Sequence, residues 1–145
     1  MKITKQFRFE AAHRLPYHDG RCRREHGHSY LLELTFEGPV RAVDPNDPQS
    51  GFVVDFGRIK QIVQPELIDR YLDHHDLNQT VPEIPYTSAE HLAAWIVGWC
   101  MRHVDGQPGI GAARVHSARL WETISALAEA DRNDAIALGY APPTP

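Results

Sequence analysis

Apolar residues fall on alternate positions at the start of the chain. Ile3, Phe7, Phe9, Ala11 and His13 take odd positions, with Thr4, Gln6, Arg8 and Glu10 between them. A period of two predicts a strand with one apolar face. The alternation returns on even positions at Tyr30, Leu32, Leu34 and Phe36, and extends back through His28 and His26. Gly38-Pro39 ends this second strand, and the Asp/Pro/Asn/Ser/Gly stretch over 44–51 is a turn-rich connection.

The period then changes. After a short extended piece at Phe52-Val53-Val54, Asp55 reads as a helix N-cap, with Phe56, Ile59, Ile62 and Val63 as the apolar stripe. Pro65 predicts a break or kink, with Leu67, Ile68 and Leu72 continuing beyond it. Ser88 and Glu90 open a stronger helix, whose stripe of Leu92, Trp95, Ile96, Trp99 and His103 is spaced at three and four. Gly106, Pro108 and Gly109 stop it. Residues 112–122 are bounded like a strand, and Ser125 to Ala130 reads as a last strand or a helical turn. Strands joined by short links, with helices set apart from them, predict an α+β fold: an antiparallel sheet with helices on one face.

A length of 145 residues fits one domain, taken as 1–138, with a Pro-rich tail over 139–145 expected to be mobile. The net charge of −4 argues against a surface built for nucleic acid. No apolar run suits a signal peptide or a membrane span, so no membrane partner is expected and the expected compartment is the cytoplasm. The unusual figure is nine His beside two Cys. Two Cys make neither a disulfide framework nor a Cys-rich zinc cluster.

His26-Gly27-His28 is the sharpest local feature. Residues two apart in a strand share a face, so these imidazoles lie about 7 Å apart along the chain and can converge on one ion. His13 ends the first strand on its apolar face and reaches the same point if the two strands form a hairpin. Three neutral imidazoles and an open position is the pattern of catalytic zinc. A His-x-His pair or a single His carries little weight alone; the three together favour a metal.

Cys22 stands among Arg21, Arg23 and Arg24. It reads as a base or nucleophile beside a metal-bound substrate, as a fourth ligand, or as an inert loop thiol. Cys100, on the apolar helix, reads as core. In Asp73-His74-His75-Asp76-Leu77-Asn78, Asp73 can fix the tautomer of His74 as an acid/base group. The plain alternative is a polar loop.

Four ordered motifs resemble the 6-pyruvoyltetrahydropterin synthase superfamily. They are Phe9-Glu10-Ala11-Ala12-His13-Arg14-Leu15, Cys22-Arg23-Arg24-Glu25-His26-Gly27-His28, Leu72-Asp73-His74-His75-Asp76-Leu77-Asn78 and Trp121-Glu122-Thr123. Within the superfamily, the three residues between Cys22 and His26 resemble the enzymes that form 6-carboxytetrahydropterin in queuosine biosynthesis. The resemblance implies a tunnelling fold: a four-stranded antiparallel sheet with two helices on one face. Sheets close into a trimeric barrel, and a homohexamer forms as a dimer of trimers. It implies Zn2+ held by His13, His26 and His28, catalysis by Cys22, Asp73 and His74, and pterin anchored by Glu122. Ser88 stands in for the usual hydroxyl near the pterin. The implied substrate is 7,8-dihydroneopterin triphosphate, converted with loss of triphosphate and acetaldehyde. Arg14, Arg21, Arg23 and Arg24 read either as triphosphate contacts or as a solvated basic loop. Glu25 resembles relatives that leave a hydroxymethylpterin, although alternation turns it away from His26 and His28. The alternatives are therefore a pyruvoyl- or hydroxymethyl-forming enzyme on the same fold, and, in another class, a zinc/pterin-binding module without turnover.

Overall fold

The two alternating segments are strands, and they pair with each other. In the computed structural model, which describes residues 1–143, β1 (Lys2–His13) and β2 (His26–Glu37) run antiparallel in unbroken register from Lys2–Glu37 to His13–His26. This register gathers Phe7, Phe9, Ala11, Tyr30, Leu32, Leu34 and Phe36 on one buried face. The opposite face is polar, with Thr4 against Thr35 (2.9 Å) and Gln6 against Glu33 (3.1 Å).

Asp55 caps α1 (Phe56–Val63), accepting from the Gly57 amide at 2.7 Å. Ile59 and Val63 are buried, whereas Phe56 stays exposed. The α-winding ends just before Pro65, where a break or kink was expected, and Leu67, Ile68 and Leu72 do continue beyond it. The chain continues through Gln64–Leu72 as a π-helix, burying Leu67, Ile68 and Leu72. Winding to i+5, as in the closing bond from the Asp73 amide to the Ile68 carbonyl (2.7 Å), relaxes the fit that a proline ring and its missing N–H disturb in an α-helix.

β3 (His75–Asp76) leads into α2 (Leu77–Thr80). α3 (Ala89–His103) is capped by Ser88 and buries every residue from Leu92 to Cys100. Burial also pushes the Cys100 thiol pKa upward, in keeping with a core role. Gly106 and Gly109 adopt positive φ in the turn that follows. β4 (Arg114–Thr123) and β5 (Ala126–Asp131) complete the sheet. The undecided segment after Ser125 is therefore a strand. A short α4 (Arg132–Ala137), unforeseen in the sequence, begins at a capping box between Asp131 and Asp134.

The sheet order is β3-β1-β2-β4-β5. The four long strands are antiparallel, as expected, but the sheet is five-stranded and mixed because β3 lies parallel to β1 at Ala11–His75 and Ala12–Asp76. Two residues carry no period, so β3 leaves no trace in the hydrophobic pattern. The helices and the apolar sheet face share one core. The tail expected to be mobile is docked at its start. Tyr140 and Ala141 are buried, the Tyr140 hydroxyl meets His91 Nδ1 at 2.6 Å, and Arg102 donates to the Tyr140 carbonyl. Thr144 and Pro145, also within that expectation, lie outside the described residues.

Gly98 is where Tyr140 crosses α3: a Cβ there would sit 2.4 Å from the Tyr140 carbonyl oxygen. Gly98→Ala should therefore overpack this contact and lower stability by about 1–3 kcal/mol, measured by urea denaturation.

Candidate functional site

The last rung of the hairpin sets His13 opposite His26. His28 follows on the same face of β2, and β4 brings a fourth group. The β4–β5 register shifts between Trp121 and Thr123, and Glu122 sits at that irregularity, the kind of bulge that re-aims a side chain. His13, His26, His28 and Glu122 each offer a donor atom, all within 4.8 Å of one another.

Hydrogen bonds orient the rings. His13 Nδ1 lies 2.8 Å from the Thr87 carbonyl and His26 Nδ1 lies 2.7 Å from the Arg24 carbonyl. A carbonyl only accepts, so each Nδ1 carries a proton, and a neutral ring so oriented offers its Nε2 lone pair. Those two Nε2 atoms are 3.1 Å apart. Lone pairs facing at that distance repel unless a proton or a metal ion lies between them. His28 Nε2 is buried without an aligned hydrogen bond, although Glu122 Oε1 is 2.9 Å away. The short distance alone is therefore no hydrogen bond. Burial, assisted by the neighbouring imidazoles and opposed by Glu122, lowers the His28 pKa and favours the neutral, metal-binding form. Orphaned nitrogen, carbonyl-fixed tautomers and a carboxylate together fit a metal ion. The imidazole of His13, then those of His28 and His26, hold the Glu122 pKa below its ordinary value against burial.

The Asp73–His74 pair is built differently. The Asp73 carboxylate and the His74 backbone are clamped to β1 at Glu10. The Glu10 amide donates to Asp73 Oδ1 (2.9 Å) and the His74 amide donates to the Glu10 carbonyl (2.6 Å). His74 holds a positive φ of 59°, a conformation uncommon for a non-glycine residue. Its Nδ1 lies 2.9 Å from Asp73 Oδ2, and the ring is mostly exposed. His28 and His74 both border one open groove, which Glu25, Gly27 and Ser29 also line.

The model of the family described as 6-pyruvoyl tetrahydropterin synthase matches residues 2–133. The chain belongs to this family. It is 36% identical over 126 residues to the 6-carboxy-5,6,7,8-tetrahydropterin synthase of Synechocystis, covering 87% of this chain and 89% of that one. It is 31% identical to the protein of the same name from Haemophilus influenzae, covering 88% and 96%. Its fold is similar to that of the 6-pyruvoyl tetrahydropterin synthase of Caenorhabditis elegans, with a TM-score of 0.71 at 21% identity over 90% of this chain and 94% of that one.

Within this family member, the three expected metal histidines come together. Glu122, expected apart from the metal, is the fourth member of their group. Cys22, one option for that place, is not in it. Cys22 is half-buried on the 3-10 turn Arg21–Arg23, with its carbonyl accepting from the Leu15 amide at 2.8 Å. Arg14, Arg21, Arg23 and Arg24 are exposed. Glu25 shares the face of Gly27 and Ser29, as alternation predicts. The rest of the Asp73–Asn78 motif is structural. Asp76 caps α2, and the Asn78 side chain brackets Arg14 with bonds of 2.8 and 3.0 Å, fixing the chain just past His13.

Ser88 spends its hydroxyl as the α3 N-cap, accepting from the His91 amide at 3.5 Å. Its neighbour Thr87, passed over in the sequence, orients His13 and keeps a buried hydroxyl without a partner. Tyr30 was read only as core. Its ring meets His28 edge-on at 5.5 Å, and its hydroxyl is buried and unpartnered. Burial first, then the Glu122 charge, raises the Tyr30 pKa, so the phenol remains a donor. The even-numbered run His26, His28, Tyr30 already held that signal.

The Asp73 pKa is lowered chiefly by the Glu10 amide, then by His74 and His75, with burial opposing. A depressed carboxyl adds stability above its unfolded pKa, and that stability is lost as pH falls through the lower folded value. Carboxyl NMR titration should give Asp73 a midpoint below its ordinary 3.8. A midpoint at or above that value would mean that the Glu10 clamp is not formed in solution.

Proposed function

We propose that the chain is a zinc-dependent 6-carboxy-5,6,7,8-tetrahydropterin synthase. In this reading it is a lyase that converts 7,8-dihydroneopterin triphosphate to 6-carboxytetrahydropterin, releasing triphosphate and acetaldehyde, in queuosine biosynthesis. The observation that carries it is the cluster of His13, His26 and His28 beside a groove shared with His74. The names of relatives similar over most of the chain point to the same chemistry.

His13, His26 and His28 hold the zinc, a metal suited to imidazole and carboxylate donors. When bound, zinc polarises a substrate oxygen. Cys22 takes a side-chain proton as thiolate. His74, oriented by Asp73, holds or delivers a proton at its exposed ring, where φ strain and the Glu10 clamp fix its position. The Glu122 carboxylate accepts two parallel N–H bonds from the pterin, the geometry that carboxylates favour. Ser88 donates its hydroxyl proton toward the pterin while still accepting the α3 cap bond. The basic loop from Arg14 to Arg24 lies in sequence next to the site and supplies charge for a triphosphate.

The assembly in this reading is a homohexamer of two trimers in the cytoplasm, built from one domain over 1–138. The exposed polar sheet face and the two sheet edges, β3 and β5, are the surfaces available for sheet closure. No described helix is long and apolar enough to cross a membrane. Glu25, on the same groove as His74, supports a second reading in which the side chain is cut to a hydroxymethyl product.

Incubating zinc-loaded protein with 7,8-dihydroneopterin triphosphate and identifying products by mass separates these readings. Acetaldehyde with a carboxypterin is the expected result; glycolaldehyde triphosphate with a hydroxymethylpterin would transfer the assignment to the second reading. Cys22→Ala should lower turnover by about 10²–10⁴-fold without changing the zinc-to-protein ratio. His26→Ala should lose zinc, and an unchanged ratio by metal analysis would remove His26 from the ligand set.

A further inference from the structure

The position of Glu122 is not what a pterin anchor alone requires. Its Oε1 lies 2.9 Å from His28 Nε2 and 3.3 Å from His13 Nε2, and those distances match the 3.1 Å between His13 and His26. Zinc ligands at about 2.0–2.1 Å in a tetrahedron stand about 3.3 Å from one another. Three of the six donor–donor distances are of this size, and all four donors lie within 4.8 Å, so the carboxylate stands where a fourth ligand would.

The four donors are not held equally. His13 is fully buried and tied to Thr87, and His26 is tied to Arg24. The Glu122 side chain is 23% exposed. Among the described residues, only the histidines partner its carboxylate. It sits at a strand irregularity, where the backbone is less constrained. Glu122 is thus the donor placed to leave.

We infer that Glu122 is a displaceable fourth metal ligand, which closes the metal site at rest and exchanges onto the bound pterin. This rests on the function proposed above and deepens it. One carboxylate cannot ligate the metal and accept two parallel N–H bonds from a pterin edge at once. Four protein ligands make a closed site, and catalysis needs an open position. Exchange resolves the conflict. A ligand carrying the cyclic amide and amino N–H pair draws Glu122 away and frees the position that its own side chain then needs. A molecule without that N–H pair leaves the site closed, so recognition of the ring controls access to the metal.

Cobalt-loaded protein tests this without turnover, because visible absorption reports the coordination of Co2+. Wild type should give a four-coordinate spectrum that resists azide. Glu122→Gln and Glu122→Ala, checked as folded by circular dichroism, should bind azide and hold the metal at least about tenfold more weakly. Adding 7,8-dihydroneopterin, which lacks triphosphate, to wild type should shift its spectrum as Glu122 leaves the metal. Superimposable spectra and equal azide affinity in wild type and both variants would overturn ligation. A wild-type spectrum unmoved by saturating 7,8-dihydroneopterin, with binding confirmed by calorimetry, would overturn the exchange. A protein that lacks synthase activity still reports both results, so failure of the proposed reaction is read separately.

Discussion

The pairing of β1 with β2 is the constraint on which the rest of this molecule depends. One register serves the core and the site together. It places six large apolar or aromatic side chains on the buried face, and each contributes about 1.5–3 kcal/mol by leaving water. The same register ends with His13 facing His26. A slip of one residue would expose the core and turn the histidines apart. Burial on the order of 10 kcal/mol exceeds the cost of a crowded polar cluster, commonly about 1–3 kcal/mol per unsatisfied group. The core therefore holds the imidazoles where they would not settle by themselves.

That excess is used at two places. At the cluster, carbonyls of Thr87 and Arg24 fix the tautomers so that both Nε2 atoms face inward. At His74, its own amide bond to the Glu10 carbonyl and the bond from the Glu10 amide to the Asp73 carboxylate brace a positive φ. Both arrangements carry local cost, and both lie on β1 or are tied to it. Strain of this kind persists where surrounding structure over-determines it. The Asn78 bracket on Arg14 extends the same bracing into the chain beyond His13.

Charge follows position. The histidines lower the Glu122 pKa, and burial lowers that of His28, so the cluster favours a carboxylate beside a neutral His28. Those are the protonation states a metal needs. Tyr30 is driven the other way and stays a phenol. The cluster thus gathers acceptors suited to a cation, with the Tyr30 phenol buried beside His28. The Asp73–His74 pair stands apart from this cluster, with the His74 ring exposed at the groove.

Local periodicity carried much of this in the sequence. Alternation placed β1 and β2, the Asp55 and Ser88 caps placed α1 and α3, and the His-x-His spacing placed two ligands on one face. Each of these is set by neighbours within a few residues, which is why it can be read along the chain. The sequence also singled out His13, Cys22, Asp73, His74 and Glu122, through ordered motifs that resemble a known family. Other features depend on residues far apart. Thr87 orients His13 from 74 positions away, and Tyr140 packs on Gly98 from beyond the last helix. The two-residue β3 exists only as a partner of β1. The π-winding past Pro65 reflects accommodation that helix propensity does not encode. Above all, the seat of Glu122 among the histidines follows from a bulge and a strand register across the sheet. A residue's type and spacing fix what it can do; only the packed sheet determines what stands within 3 Å of it.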